Sequence, residues 1–269
     1  MRFIRFSALV LSLTLLGSTP CYPDEAADAP DSGEIAKTLK DFRERYFVAN
    51  NGKDKMLSVR SMRVEAELTR PDGDGGKMVF IKQKPNYVRS VWYAPRGMTV
   101  RKGYNGKESW ELVTAPNGSE KGRILPEVPP DVFEWVIADP EACGAKLEML
   151  PVERSERSEL YHIRATFNDG RVKNYYLDTT SFCESKVVET ETDGTVKTFV
   201  VESPIKYNGI WFPGVQIQYD ASGKEVARVK IDDVKMNVGI FPCFFDPPES
   251  LKNSEDTGNS PEYSESSGQ

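Results

Sequence analysis

The chain has 269 residues, of which 39% are hydrophobic and 28% charged, and these proportions exclude a fully disordered chain and a polytopic membrane protein. Its 35 basic and 41 acidic residues give a formal net charge of −6 without a clustered cationic surplus, which excludes a dedicated nucleic-acid binder. The single histidine, His162, limits the Ser-His-Asp triads, Cys-His dyads and zinc sites that the chain could build.

The charge is unevenly distributed along the chain. Residues 1–21 carry a charge of +2, residues 22–34 carry −5, and residues 249–269 carry −4, which leaves residues 35–248 close to neutral at +1. The composition therefore predicts a secretion signal (1–21), an acidic flexible linker (22–34), one folded domain (35–248) and a disordered acidic tail (249–269).

The N-terminal segment has the layout of a secretory signal, with a basic start, an apolar run over residues 6–16 and then small or turn-forming residues. At ~1.5 Å per residue this run reaches about half of a ~30 Å hydrocarbon core, which argues against a retained membrane span. We expect an exported protein of the periplasm or cell envelope. Cys21 lies where a lipoprotein carries its acyl group, but Pro20 departs from the usual lipoprotein signal, so lipidation and ordinary cleavage both stay open.

The mature chain retains three further cysteines, Cys143, Cys183 and Cys243. An odd number in an oxidising compartment is compatible with one disulfide and a free thiol, and equally with three apolar thiols. The sequence does not decide which pair would join.

The first regular element is an amphipathic helix over residues 34–50, because apolar side chains recur there at helical spacing, with Asp31 or Ser32 as the N-cap and Asn50-Asn51-Gly52 as the stop. The pattern then changes to strict alternation, starting at residues 62–69. In all, the sequence predicts about eleven strands, over residues 62–69, 77–84, 87–93, 99–104, 109–114, 160–167, 172–177, 186–190, 196–202, 211–219 and 225–234. Asn-Gly, Asp-Gly or Ser-Gly pairs separate many of them, which is typical of an antiparallel meander.

One mid-chain segment interrupts the strands. Residues 131–139 place four apolar side chains on one helical side, which predicts a helical lid with the residues Val132, Phe133, Val136 and Ile137. The fold class predicted is α+β, mainly β: a single strongly curved antiparallel sheet, or unclosed β-barrel, with an N-terminal helix and this lid. Apolar residues on the concave face of such a sheet form either a packed core or a lipid-sized cavity.

Several motifs along this sheet resemble the bacterial outer-membrane lipoprotein carrier family (LolA/LolB-like). The first is the stretch 76–87, in which a strand ends in Lys84-Pro85-Asn86, followed by the hairpin sequence of residues 104–110. Further similar segments are residues 175–178 leading to Lys186-Val187, residues 207–213, residues 234–238 and residues 245–248. The resemblance covers most of residues 56–248 and depends on the order of motifs that are individually common.

The resemblance implies an unclosed β-barrel whose hydrophobic cavity receives acyl chains of lipoproteins or other lipids, without enzymatic chemistry or a cofactor. The resemblance also implies that inner- and outer-membrane sorting proteins are partners. We expect a monomer that binds no nucleic acid. The family's basic residue before Pro-Asn, which helps to lock the lid, falls on Lys84. Lysine lacks the planar fork of arginine, so an exposed strand-end lysine is an equally good interpretation.

With Lys84 as the frame, strand alternation predicts which apolar residues face the cavity. They are Met62, Val64, Leu68, Phe80, Val88, Trp92, Trp110 and Leu112. For each of them taken singly, ordinary core is the favoured interpretation, since every curved sheet needs apolar filling.

Two other functional hypotheses stay open. One is a module of the same fold that senses a lipid or peptide and acts on a partner protein instead of transporting it. The other is a hydrolase using His162, Asp232 and Asp233, although carboxylates on strand edges are usually solvated, which also weakens a metal site at Asp178 or the Asp232-Asp233 pair.

Overall fold

The computed structural model describes residues 35–125, 135–155 and 158–252. The predicted secretion signal, most of the linker, Val132 and Phe133 of the lid and most of the acidic tail lie outside these residues. In the described part, no helix has the length and apolar character needed to cross a bilayer.

A single large antiparallel sheet dominates the described residues and confirms the predicted fold class. Its thirteen strands follow the order β6-β5-β4-β3-β2-β1-β15-β14-β11-β10-β9-β8-β7, and β12 and β13 form a separate two-stranded hairpin. The first strand, β1, thus lies in the middle of the sheet. Strands β1–β6 extend one arm outward to its edge, and β7–β15 build the other arm from the opposite edge back to β1. The strands are β1 Ser61–Thr69, β2 Gly75–Gln83, β3 Tyr87–Tyr93, β4 Thr99–Tyr104, β5 Ser109–Thr114, β6 Glu120–Leu125, β7 Ala145–Arg154, β8 Glu159–Phe167, β9 Val172–Asp178, β10 Glu184–Thr190, β11 Val196–Glu202, β12 Ile205–Tyr207, β13 Ile210–Phe212, β14 Val215–Tyr219 and β15 Glu225–Met236.

The two strands that end the sheet, β6 and β7, are absent from the strand predictions. Both are largely exposed and carry charges at short intervals, and β7 contains Pro151 next to a register shift. Charged residues and proline are common on edge strands because they discourage pairing with another chain. The same features remove the apolar alternation on which sequence prediction depends. The run expected at 211–219 is also divided, into β13 and β14.

Helix α1, Leu39–Ala49, begins later than the sequence predicts. Its N-cap is Thr38, whose Oγ1 accepts a hydrogen bond from the Asp41 N–H at 3.1 Å, whereas Asp31 and Ser32 were expected in this role. Its end agrees with the prediction, because Gly52 has a φ of 93° and donates its N–H to the Phe47 carbonyl. A second helix, α2, covers Lys53–Leu57, and α3 covers Glu249–Lys252.

The described part of the predicted mid-chain helix is a series of turns over residues 135–144. Pro140 gives the physical reason, since it lacks an N–H and disfavours helical geometry at Asp139. Trp135, Ile137 and Ala138 are nevertheless buried in the main core, although the described residues of the segment are not helical, and its role as a lid stays a prediction.

We call the face of the sheet that carries the main apolar core the inner face, and the opposite one the outer face. The outer face of β3–β6 is covered by the C-terminal strap, residues 237–252, which follows β15. Phe245 and Leu251 of the strap are buried, and Leu251 packs with Trp110 and Leu112 in a second, smaller core. A Cβ at Gly122 would lie 2.5 Å from Leu251, so only glycine leaves room for the strap there. The four residues of α3, assigned to the tail by composition, thus belong to the packed structure.

Cys143, Cys183 and Cys243 are free thiols. Cys183 is buried, Cys143 half-buried and Cys243 exposed.

Candidate ligand-binding face

The inner face is apolar across the middle of the sheet because strand pairing places the buried residues of neighbouring strands opposite each other. One such row runs from Ala66 through Met78, Trp92 and Val100 to Val113. All five belong to the main core or pack against it. A continuous apolar row of this kind needs a cover. The β12–β13 hairpin brings Ile210 and Phe212 into the main core.

Helix α1 provides part of that cover. Phe42 is fully buried, and its ring lies 5.0 Å from that of Tyr161 and 5.8 Å from that of Phe182. The hydroxyl of Tyr161 accepts a hydrogen bond from the Ala36 N–H at 2.9 Å. Aromatic contacts and one buried hydrogen bond therefore seat the helix on the β8 side of the inner face.

The turns at residues 135–144 provide a second part of the cover. The Trp135 ring contacts the Phe212 ring edge-on at 5.9 Å. Arg43 of α1 joins the two parts, because its Nε donates to the Ile137 carbonyl at 3.1 Å and its Nη2 to the Ala138 carbonyl at 3.0 Å. We refer to α1 and residues 135–144 together as the cover, and to the Arg43 contacts as its latch.

A pocket of about 110 Å³ opens on the inner face of the β1–β5 arm. Its floor is apolar, with Leu68, Met78 and Trp92, while Arg70, Lys102 and Glu111 form a polar rim. Lys102 Nζ and Glu111 Oε2 are 2.6 Å apart, and the Arg70 guanidinium lies 5.1 Å from the Trp92 ring. The other lining residues are Ser90, Met98, Val100 and Val113.

The size of this pocket limits what it can hold in the state described. An apolar cavity of ~150 Å³ takes one benzene molecule, and sites for larger ligands run from ~300 Å³ upward. At about 110 Å³ the pocket is smaller than the benzene site and has room only for the end of an apolar chain. A whole acyl chain would require the cover to move.

No family model matches the chain, and no curated protein matches it. Among solved structures, the chain is similar to a LolA-superfamily protein from Nitrosomonas europaea, at 16% identity and a TM-score of 0.49 over 78% of this chain and 99% of that one. A putative outer membrane lipoprotein-sorting protein domain from Vibrio parahaemolyticus has 13% identity and a TM-score of 0.49, over 81% and 97%. A DUF1329 family protein from Desulfovibrio piger has 10% identity and a TM-score of 0.49, over 76% and 96%.

Likeness at this level assigns neither a family, a ligand nor an activity.

The structure places six of the eight predicted cavity residues in or against the main core: Met62, Val64, Leu68, Phe80, Val88 and Trp92. Of these, Leu68 and Trp92 line the pocket. Trp110 and Leu112 lie on the outer face instead, beneath the strap. Glu111 and Val113 of β5 pair with Lys102 and Val100 of β4 and lie on the inner face. Because side chains alternate along a strand, Trp110 and Leu112 lie on the outer face.

Lys84, the predicted lid-locking residue, lies in the turn between β2 and β3, where its N–H donates to the Arg60 carbonyl at 2.8 Å and a cis peptide bond joins it to Pro85. Among the described residues, Arg43 donates side-chain hydrogen bonds to two carbonyls of the cover, and the lid-locking role of Lys84 stays a prediction. The sequence analysis missed Arg43 because it reads as a polar residue of an amphipathic helix. The signal that could have identified it is its position between Phe42 and Phe47, at the edge of the apolar side.

The remaining lid residues have different surroundings. Ile137 is 2% exposed in the main core, and Val136 is half-buried against it. Val132 and Phe133 lie outside the described residues.

The candidate hydrolytic and metal residues are not brought together. His162 lies on the outer face, where its ring stacks 4.5 Å from that of Tyr176 and its Nε2 is 3.0 Å from Asn174 Oδ1. Asp178 caps a turn by accepting the N–H groups of Thr180 and Ser181. Asp232 and Asp233 each pair with a lysine at the surface. Within residues 35–125, 135–155 and 158–252, no three metal-ligating side chains converge.

Proposed function

We propose that the protein is a cell-envelope carrier or binding protein that takes acyl chains, including those of lipoproteins, between its sheet and its cover. The observation that carries the proposal is the inner face itself. A broad apolar surface is closed by one helix and a set of turns, and a pocket with an apolar floor reaches the surface beside it. The motifs shared with the lipoprotein carrier family support the same interpretation.

The energy available from an acyl chain is sufficient for such a mechanism. Each CH₂ group moved from water into an apolar site gains ~0.8 kcal/mol, so a chain of about sixteen carbons supplies on the order of 10 kcal/mol. Opening the latch costs two hydrogen bonds from a charged donor, about 1.5–3 kcal/mol each. Displacing the cover also exposes Phe42 and Trp135, at about 1.5–3 kcal/mol each, so the acyl chain must take over the contacts of these rings. Closure over the emptied face makes release to an acceptor tolerable.

The proposal extends to location and partners. The basic, apolar and small-residue order of residues 1–21 supports export, and the envelope is where acylated proteins are delivered. Donor and acceptor would be membrane-associated sorting proteins that bind the protein as a monomer.

A fluorescent sixteen-carbon fatty acid tests the proposal by titration into the full chain. We expect saturable binding, with Ser90→Phe weakening it by about ten-fold or more because the new ring fills the pocket. Val91→Phe is the matched control, since Val91 is the next residue of β3 and faces the outer side. Absence of saturable binding, or equal affinity of the Ser90→Phe variant, would contradict the proposal.

A second measurement distinguishes carrying from sensing. A carrier releases the labelled fatty acid to acceptor vesicles, whereas a sensing module retains it and changes its binding to a partner protein. Dilution of the loaded protein into vesicles of a bacterial lipid extract measures the transfer directly.

A further inference from the structure

The turn that opens the C-terminal strap exposes a cluster of large apolar side chains. Phe241 is 80% exposed and Phe244 is 38% exposed, with Pro242 and Cys243 between them, also exposed. We call residues 241–244 the aromatic tip. Single exposed apolar residues are common, but here the described residues leave two phenylalanines exposed on one short turn. Phe244 packs in part, against Arg89 and Phe245, whereas most of the Phe241 side chain is open.

The tip is held firmly from its C-terminal side. Phe245 is fully buried and stacks on Tyr87, with 5.3 Å between the ring centroids, and its carbonyl accepts a hydrogen bond from Trp110 Nε1 at 2.8 Å. Arg89 Nη1 donates to the Phe244 carbonyl at 2.5 Å, and its guanidinium lies 4.2 Å from the Phe244 ring.

The N-terminal side is anchored as well. The Asn237 Oδ1 accepts the Arg60 N–H at 2.8 Å, and the Val238 carbonyl accepts the Ser61 hydroxyl at 2.6 Å. With both flanks bonded to the sheet, the exposure of Phe241 is a property of the fold and not of a frayed segment.

Basic residues surround the tip at this end of the sheet. Arg60 precedes β1, Lys84 follows β2 and Lys107 lies between β4 and β5, and strand pairing brings these three positions to the same end as the tip. Arg60 and Lys107 are exposed. Of the acidic residues in these turns, Asp246 is bound to Asn105 at 3.0 Å, and Glu108 is half-buried.

We propose that the aromatic tip is a membrane-docking surface that inserts its phenylalanines into the interface of an anionic bilayer. Aromatic side chains favour the headgroup region, and neighbouring cations are attracted to anionic lipids. The chemistry fits a lipid surface better than a protein, because a stable protein interface needs about 800 Å² on each partner, far more than one turn presents. This inference goes beyond the proposed function and does not depend on acyl-chain binding at the inner face.

The exposed thiol of Cys243 allows a local test. The full chain carries an environment-sensitive nitrobenzoxadiazole label at Cys243, with Cys21→Ser and Cys143→Ser to prevent labelling elsewhere. Vesicles of phosphatidylglycerol and phosphatidylethanolamine should shift the emission to the blue, and lipids brominated on their acyl chains should quench it. The control is a Lys224→Cys variant in a Cys243→Ser background, with the label at position 224. Lys224 lies on an exposed hairpin at the opposite end of the sheet, and no shift is expected there.

Position-specific readout matters because the apolar run at residues 6–16 could by itself hold the chain at a vesicle. Equal shifts at both labelled positions would therefore overturn the proposal. No shift at Cys243 would also overturn it and leave a second copy or another protein as the occupant, the former visible as a concentration-dependent mass. If the protein bound vesicles of phosphatidylcholine as strongly as the anionic vesicles, the proposed role of the basic residues around the tip would be wrong.

Unlabelled variants give a second measurement. Phe241→Ser with Phe244→Ser should reduce co-sedimentation with the anionic vesicles by about five-fold or more. Tyr93→Ser is the control, because Tyr93 is also a large exposed aromatic residue and lies at the end of β3 opposite Tyr87, which contacts Phe245 of the strap. An equal loss in the tip variant and in this control would contradict the proposal. Fatty-acid binding should be unchanged in the tip variant, which separates this result from the test of the proposed function.

Discussion

Glu184, the first residue of β10, places a carboxyl group beside the cover. Its Oε2 is buried and has no hydrogen-bond partner among the described residues. Burial raises the pKa of this carboxyl well above its usual range, and the Lys173 ammonium offsets part of that effect. Burial and the charge of Glu184 in turn raise the pKa of the Tyr46 hydroxyl. The buried carboxyl group of Glu184 thus lies close to helix α1, which covers part of the inner face.

The raised pKa of Glu184 predicts a pH-dependent cost to stability. Between the pKa of the unfolded chain, about 4.3, and the higher folded value, the folded state binds more protons, so this group lowers the free energy of unfolding as the pH rises. Glu184→Gln should therefore stabilise the protein at about pH 8 and have little effect at about pH 4. Urea denaturation at both values measures the difference.

Glu189→Gln serves as the control, because its carboxylate is buried but 3.1 Å from Lys173 Nζ. Loss of one partner of a buried pair should destabilise by about 3–5 kcal/mol. If Glu184→Gln raised the free energy of unfolding equally at both pH values, the effect would come from packing and not from the protonation of Glu184.

Strands with one buried face are the elements that sequence predicts best. β1 alternates apolar and polar residues, and the structure buries every second side chain from Met62 to Leu68. The edge strands β6 and β7 escape prediction because neither has a partner on both sides or a fully buried face. Trp110 and Leu112 show a different limit. Their apolar character predicts burial correctly, but which face buries them depends on the strap, a segment of 16 residues at the far end of the described chain.

The C-terminal strap is an element whose contribution to stability can be measured. Leu251 is 3% exposed and contacts the core of Trp110 and Leu112. Leu251→Ala should destabilise by about 2 kcal/mol or more, at the lower end for buried leucines because the strap end can adjust. Ser250→Ala, on the same turn but exposed, should change the free energy of unfolding by less than about 0.5 kcal/mol.

Tryptophan fluorescence gives a local readout of the same prediction when Trp92, Trp135 and Trp211 are replaced by phenylalanine, since the remaining Trp110 is fully buried under the strap. Its emission should shift to the red in the Leu251→Ala variant before global unfolding. If Leu251→Ala were as mild as Ser250→Ala, residues 249–252 would belong to the tail, as their composition predicts.

In the molecule as a whole, most of the buried hydrophobic residues form a packed core. Both arms of the sheet contribute to one apolar cluster, which α1 and the turns at 135–144 complete. The pocket on the β1–β5 arm is small beside this core. The near-neutral charge of residues 35–248 agrees with a ligand recognised by apolar contact. Sequence patterns could predict the curved sheet and its apolar face, but not how fully the cover fills that face, because this depends on contacts between residues about a hundred positions apart.

The latch is the feature that couples the cover's two parts across that distance. Arg43→Lys keeps the charge but loses the fork that reaches the carbonyls of Ile137 and Ala138 together. The loss of one hydrogen bond from a charged donor should lower the free energy of opening the cover by about 1.5–3 kcal/mol. Hydrogen exchange at residues 135–144 should therefore become about ten-fold faster or more.

Arg45→Lys is the matched control, because Arg45 lies on the same helix and its Nε binds Asp41 within that helix at 2.9 Å. Exchange in β8 and β9 should be unchanged in both variants, since those strands are held by their own pairing. Faster exchange at 135–144 in the Arg43→Lys variant alone would show that the cover opens as a unit from an intact sheet. The same rate in both variants would mean that aromatic packing of Phe42 and Trp135 holds the cover, and an acyl chain would then have to displace those rings and not the latch.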